Sequence, residues 1–157
     1  MLLLGDNFPD FDAMTTDGSI KFHEFIGDSW CILFSHPDDF TPVCTTELAR
    51  AAELAPEFAK RNCKMIALSC NDLSSHLSWL EDIKFYANMD RSIKFPYPII
   101  DDQHRVLAIR LGMIDPTNHD VKSGLPLACR VVCFFLNFEL LARIDSFSKF
   151  INIGFYN

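Results

Sequence analysis

Residues Trp30 to Arg61 read WCILFSHPDDFTPVCTTELARAAELAPEFAKR. Trp30–Ser35 is a short apolar run with strand character. From Thr45 to Arg61, apolar residues recur at Leu48, Ala51, Ala52, Ala55, Phe58 and Ala59, the spacing of one helical face. Glu47, Arg50, Glu53, Glu57 and Lys60 fill the opposite face, and Pro56 is expected to kink this helix or end it early. A polar, proline-punctuated loop with a cysteine at its end, Cys44, joins strand to helix. Strand, loop and helix in this order are the unit of an α/β domain, so the question is whether the unit recurs.

It does. Lys64–Cys70 is a second buried-strand candidate, and Asn71 and Asp72 can cap a helix running through Leu77, Leu80 and Ile83. Phe95-Pro-Tyr-Pro cannot be helical and leads into a short strand at Ile99 and Ile100. His104 to Leu111 reads as a helix ended by Gly112, and Cys129 to Leu136 as a strongly apolar strand. From Asn137 periodicity does not decide. Phe138, Leu140 and Ile144 allow a strand, whereas Leu140, Leu141, Ile144, Phe147 and Ile151 fit a helix equally well. The alternation predicts an α/β sandwich around a central sheet.

A chain of 157 residues accommodates one domain with a real core. With 49% apolar and 22% charged residues it has the balance of a globular protein, and a net charge of −7 argues against a nucleic-acid surface. Three leucines before Gly5 and Asp6, with no basic segment, are too short for a signal peptide. Leu125–Ile144 is interrupted by Arg130, Asn137 and Glu139 and reads poorly as a membrane span. The expected location is cytoplasmic. The six cysteines (31, 44, 63, 70, 129, 133) form no CxxC pair, so reduced thiols are expected rather than a disulfide framework. The histidines form no metal-ligand set, and neither a metal nor another cofactor is expected.

Cys44 stands apart from the other five. A helix beginning near Thr45 places it at a helix N-terminus, where free backbone N–H groups and the macrodipole favour a thiolate. Thr41 adds a hydroxyl that both donates and accepts, and Pro37 and Pro42 restrict the loop. A thiolate nucleophile, a donor to the departing oxygen and a rigid, partly dry pocket are what peroxide chemistry needs. Arg130, a charge inside an apolar strand, can complete the set.

At these residues the chain resembles the peroxiredoxins, whose Pro-x-x-x-Thr-x-x-Cys hallmark is matched by Pro37, Thr41 and Cys44. The wider run FSHPDDFTPVCTTEL resembles the one-cysteine, peroxiredoxin-6-like type, as do LLLGDNFPDF, GDSW, LAPEFAKRN, PYPIIDD and LGMIDP. The resemblance spans Leu2 to Phe134 and implies a thioredoxin-like fold, a central mixed sheet flanked by helices. It implies that Cys44 is the peroxidatic cysteine, oxidised by hydrogen peroxide or organic and lipid hydroperoxides to a sulfenic acid. Thr41 would orient the peroxide, and Arg130 would activate the thiol and polarise the O–O bond. His36 would lie beside the sulfur and Glu47 would support the site. The implied reductant is glutathione with a glutathione transferase, without a resolving cysteine, and the implied role is antioxidant redox homeostasis.

The type is also associated with phospholipase A2-like hydrolysis by a Ser-His-Asp set. Ser29 and His23 match two of its members, but Cys31 replaces a motif glycine and Phe138 stands at the acidic position. Lipase activity is therefore disfavoured and expected to be weak or absent. Residues 1–136 are expected to form the peroxiredoxin domain and 137–157 a divergent tail, with the C-terminal peroxiredoxin region missing. That region contributes to dimer contacts in relatives, which puts a homodimer in question. Asp38 stands where a basic residue is common and disfavours the thiolate slightly. The alternative reading is a truncated, weakly active relative that serves as a redox sensor or binding module.

Overall fold

The computed structural model describes residues 2–145. Phe147 and Ile151, which entered the helical reading of the tail, lie outside the described residues.

The chain opens with a hairpin, β1 (Asp12–Thr15) and β2 (Gly18–Lys21), followed by a short helix α1 (Phe22–Ile26). The strand read at Trp30–Ser35 is β3 with the same limits, and α2 (Pro42–Lys60) follows it. Then come β4 (Cys63–Ser69), α3 (Leu73–Tyr86), β5 (Ile99–Asp101) and α4 (Val106–Arg110). A separate ribbon, β6 (Ile114–His119) and β7 (Pro126–Ala128), precedes β8 (Val132–Leu136) and β9 (Glu139–Ile144). Seven strands form a mixed sheet in the order β2-β1-β5-β4-β3-β8-β9. Its centre, β5-β4-β3, is parallel, and β8 joins β3 antiparallel.

Burial on both faces explains the unbroken apolar run of β3. Cys31 and Leu33 face a core shared with Phe8, Phe22, Ile26 and Leu107, so α1 and α4 lie on that side. Ile32 and Phe34 face the other core, with Leu48, Ala51 and Ala52 of α2 and Trp79 and Ile83 of α3. In β4, Ile66 and Leu68 join the first core while Met65 and Ala67 join the second.

Four expectations are corrected. First, α2 does not end at Pro56 but runs to Lys60. Packing of its alanine face on the sheet offsets the lost backbone bond, and Lys60 and Arg61 both pair with Glu57 in the last turn. Second, α2 starts at Pro42 rather than near Thr45, because proline suits a first turn and Thr41 caps it. Third, the strand read from Cys129 starts only at Val132, so Arg130 lies in the connection from β7 rather than within a strand. Fourth, Glu47 does not belong to the solvated face of α2: it is buried.

The open reading of the tail resolves to a strand through Ile144. The turn into β9 uses Asn137 and Phe138, both at positive φ (49° and 66°), the requirement of a two-residue hairpin loop. β9 therefore extends the sheet past residue 136.

Phe135 on β8 is fully buried, with ring centroids 4.2 Å from Phe8 and 6.1 Å from Phe22. Phe135→Ala is expected to destabilise the fold by about 3–5 kcal/mol, measured by urea denaturation.

Candidate active site

The loop from His36 to Thr41 leaves the end of β3 and delivers the chain into α2. Thr41 is the N-cap: its Oγ1 accepts a hydrogen bond from the Cys44 amide at 3.3 Å, and its hydroxyl points back to the Asp38 carbonyl at 3.3 Å. Thr45 Oγ1 donates to the Thr41 carbonyl at 2.7 Å and accepts from the Trp79 indole of α3 at 3.0 Å. These contacts place Cys44 in the first turn of α2, fully buried, where backbone N–H groups converge. Phe40 takes a left-handed φ of 57°, a strained state for an aromatic residue that hydrogen bonds on both sides hold in place.

Glu47 lies one turn further along α2 and pairs with Arg130. Burial pushes its carboxyl up, against the pull of the Arg130 guanidinium, and Oε1 has no hydrogen-bond partner among the described residues. Arg130 is about a third exposed, so it reaches from the buried carboxylate to the surface. Pro37, Thr41 and Arg130 line a cleft of about 530 Å³, whose far wall is the β6–β7 ribbon with Asp120 and Lys122. A second cleft of about 540 Å³ shares Asp38, Asp120 and Lys122 and opens over Asp39 and Cys70. Asp38, the loop's added acid, accepts from the Asn71 side chain at 2.6 Å.

His36 is buried, and its Nε2 lies 2.9 Å from Asp39 Oδ1. Burial lowers its pKa, which favours the neutral ring, although Asp39 pulls the other way. On the other oxygen of Asp39, His76 Nδ1 lies at 2.7 Å. Burial by itself would raise the Asp39 carboxyl, but the bonds to both histidines hold it well below the usual carboxylate range. The sequence reading passed over Asp39 and His76. A buried acid between two histidines leaves no periodic trace, since α3 brings His76 to the loop only in three dimensions.

Burial disfavours the thiolate at the other five cysteines. All six cysteines are free. Burial pushes Cys63 and Cys70 up to about 11 and Cys133 up to about 12, and raises Cys31 and Cys129 as well.

The hydrolase-like pair is not assembled. Ser29 Oγ donates to the Ile26 carbonyl at 2.6 Å, while His23 Nε2 faces the Phe8 carbonyl at 2.8 Å. Phe138 stacks on the face of the His23 ring at 4.0 Å and supplies no carboxylate to orient it.

The family model described as AhpC/TSA family matches residues 4–134. The chain belongs to the AhpC/TSA family. It is 61% identical to Peroxiredoxin-6 of Bos taurus over 134 residues, 85% of this chain and 59% of that protein. Identity to Peroxiredoxin-6 of Gallus gallus is 62% over 135 residues, again 85% and 59% of the two chains. The chain thus spans about three-fifths of the length of the curated relatives it matches. Among solved structures, a mutant of the peroxiredoxin 6 of Arenicola marina aligns with TM-score 0.89 and 42% identity, over 98% of this chain and 72% of that one. A yeast mitochondrial 1-Cys peroxiredoxin, studied for thiol resolution through glutathione/thioredoxin systems, aligns with TM-score 0.83 and 37% identity, over 98% and 75%. The AhpC/TSA domain here has the thioredoxin-like architecture of these peroxiredoxins.

Thr41→Ala is expected to lower stability by about 1 kcal/mol through loss of the cap, with Thr41→Ser close to the unmutated protein, both read by chemical denaturation.

Proposed function

We propose that this AhpC/TSA domain is a thiol peroxidase that acts through Cys44 alone. The observation that carries the reading is the placement of Cys44 in the first turn of α2, next to a cleft lined by Pro37, Thr41 and Arg130. In the proposed reaction the Cys44 thiolate attacks one oxygen of a hydroperoxide. The S–O bond forms as the O–O bond breaks, the sulfur becomes a sulfenic acid, and the second oxygen leaves and is protonated to water or an alcohol. Thr41 is assigned to orienting the peroxide and Arg130 to stabilising charge on the reacting oxygens, held there by Glu47. Pro37 shields the loop, and His36 supplies a neutral polar group in the buried layer beneath it.

Substrates are proposed to be hydrogen peroxide and organic or lipid hydroperoxides, since the cleft is open and lined by both polar and apolar side chains. The five raised thiols favour an external reductant, for which glutathione with a glutathione transferase is the proposed system. A homodimer is proposed on the exposed Phe40 and Val43 beside the cleft, and an antioxidant role in the cytoplasm on the unpaired cysteines. Among the described residues no helix is long and apolar enough to cross a membrane. The division at residue 136 is kept as a proposed family boundary rather than a break in the sheet. The separate hydrogen-bond commitments of Ser29 and His23 oppose a lipase reading.

Stopped-flow oxidation by hydrogen peroxide tests the proposal. Rapid oxidation is expected in the unmutated chain, none in Cys44→Ser, and a rate about 100-fold lower in Arg130→Ala. A rate no faster than that of a free thiol would instead support the alternative reading, a weakly active redox sensor or binding module.

A further inference from the structure

Ser75, His76, Asp39 and His36 form a polar cluster between α3 and the loop that carries Cys44, with all but Ser75 buried. The Asp39 side chain is 0% exposed, as is that of His76, and that of His36 is 1% exposed. Asp39 Oδ2 receives the Ser75 hydroxyl at 2.7 Å as well as His76 Nδ1. Ser69 Oγ lies 3.5 Å from Oδ1, but its hydroxyl has a nearer acceptor in Asn71 Oδ1 at 2.8 Å.

The proton count follows from the partners. On its other side, His76 Nε2 faces the Ile100 carbonyl at 3.1 Å. A carbonyl only accepts, and an ionised carboxylate only accepts. The two acceptors that face the His76 nitrogens are satisfied together only by a ring that carries both protons. His36 differs. Its Nε2 faces Asp39, whereas Nδ1 is buried with no hydrogen-bond partner among the described residues. The two rings lie only 6.3 Å apart, so a charge on His76 opposes a second one on His36. Arg130, whose charge also acts on His36, opposes it further. Asp38 and Asp101 are engaged elsewhere, with the Asn71 side chain and the Leu73 amide respectively.

We propose that a buried His76 imidazolium–Asp39 carboxylate pair fixes His36 as a neutral ring protonated on Nε2, which makes Asp39 and His76 positioning residues for the Cys44 loop. The pair anchors that loop to α3 immediately before the left-handed Phe40 and the Thr41 cap. It also leaves His36 Nδ1 as an acceptor in the buried layer. Only the kinetic consequence rests on the peroxidase reading; the protonation pattern does not.

Nitrogen-15 NMR of the histidine rings in the full chain tests the pattern directly. At about pH 7.5, where an ordinary histidine with its pKa near 6.5 is mostly neutral, His76 is expected to show both nitrogens protonated and His36 only Nε2. A His76 ring with one bare nitrogen, or a proton on His36 Nδ1, overturns the proposal. Asp39→Asn and His76→Gln remove the charge pair while keeping polar side chains. Each variant is expected to slow oxidation of Cys44 by peroxide at least about tenfold, since misplacing a reacting group by about 1 Å can cost about 100-fold, and to change the pH profile of that rate. Folded variants with unchanged rate and profile overturn the positioning role. If either variant fails to fold, the NMR measurement on the unmutated chain still decides. Slow oxidation of the unmutated chain counts against the peroxidase reading and leaves the histidine spectra to judge this one.

Discussion

A strand that is apolar on both faces has to be covered twice, and the domain is organised around that constraint. β3 alternates Cys31 and Leu33 into one core with Ile32 and Phe34 into the other. Helices α2 and α3 are thereby required on one side, with α1, α4 and the N-terminal phenylalanines on the other. The chain cannot continue as buried strand beyond Ser35, because the next residues are polar and carry two prolines. It turns at the C-terminal end of β3 and enters α2, which must lie on the face where Ile32 and Phe34 await cover. The position of Cys44 follows from that geometry, since the first turn of α2 comes where the loop ends.

Polar contacts then make an approximate position exact. Thr41 satisfies one amide of the helix start, Thr45 links that turn to Trp79, and Asp39 links the loop to Ser75 and His76. All three reach α3 or the cap rather than solvent. The loop is thus held from two directions, which is how a residue as bulky as Phe40 persists at positive φ. Glu47 does similar work from within α2, drawing Arg130 from the β7–β8 connection to the helix start.

Much of this was legible in the sequence where one period dominates. β3 is continuous and apolar, α2 shows its alanine face, and Asp72 caps α3 as its side chain predicts, accepting from the Ser75 amide at 2.8 Å. Pro37, Thr41 and Cys44 could be recognised because their spacing is local. Periodicity alone puts Glu47 on the outer face, because it assigns a charge to solvent, whereas its partner lies 83 residues away. The N-terminal hairpin was missed although Asp17-Gly18 carries a turn signal, because its strands are short and mostly exposed. His76 looked like one more histidine on a helix. Nothing in its neighbourhood announces a carboxylate brought from residue 39.

The buried polar groups also bear on what the fold is for. Among the described residues His36 Nδ1 and Glu47 Oε1 are buried without hydrogen-bond partners, each costing about 1–3 kcal/mol in desolvation. A core shaped for stability alone would replace such groups with apolar side chains of similar volume, often at a gain. Here both belong to the layer around the start of α2, while elsewhere the two hydrophobic clusters are built from ordinary aliphatic and aromatic packing. The expense is concentrated where the proposed chemistry takes place. Peroxide attack passes through species rich in O–H donors, from the hydroperoxide to the sulfenic acid, and buried acceptors that the protein does not satisfy suit such species. Under the peroxidase reading, the same features that weaken the folded state at this point prepare it for the reaction.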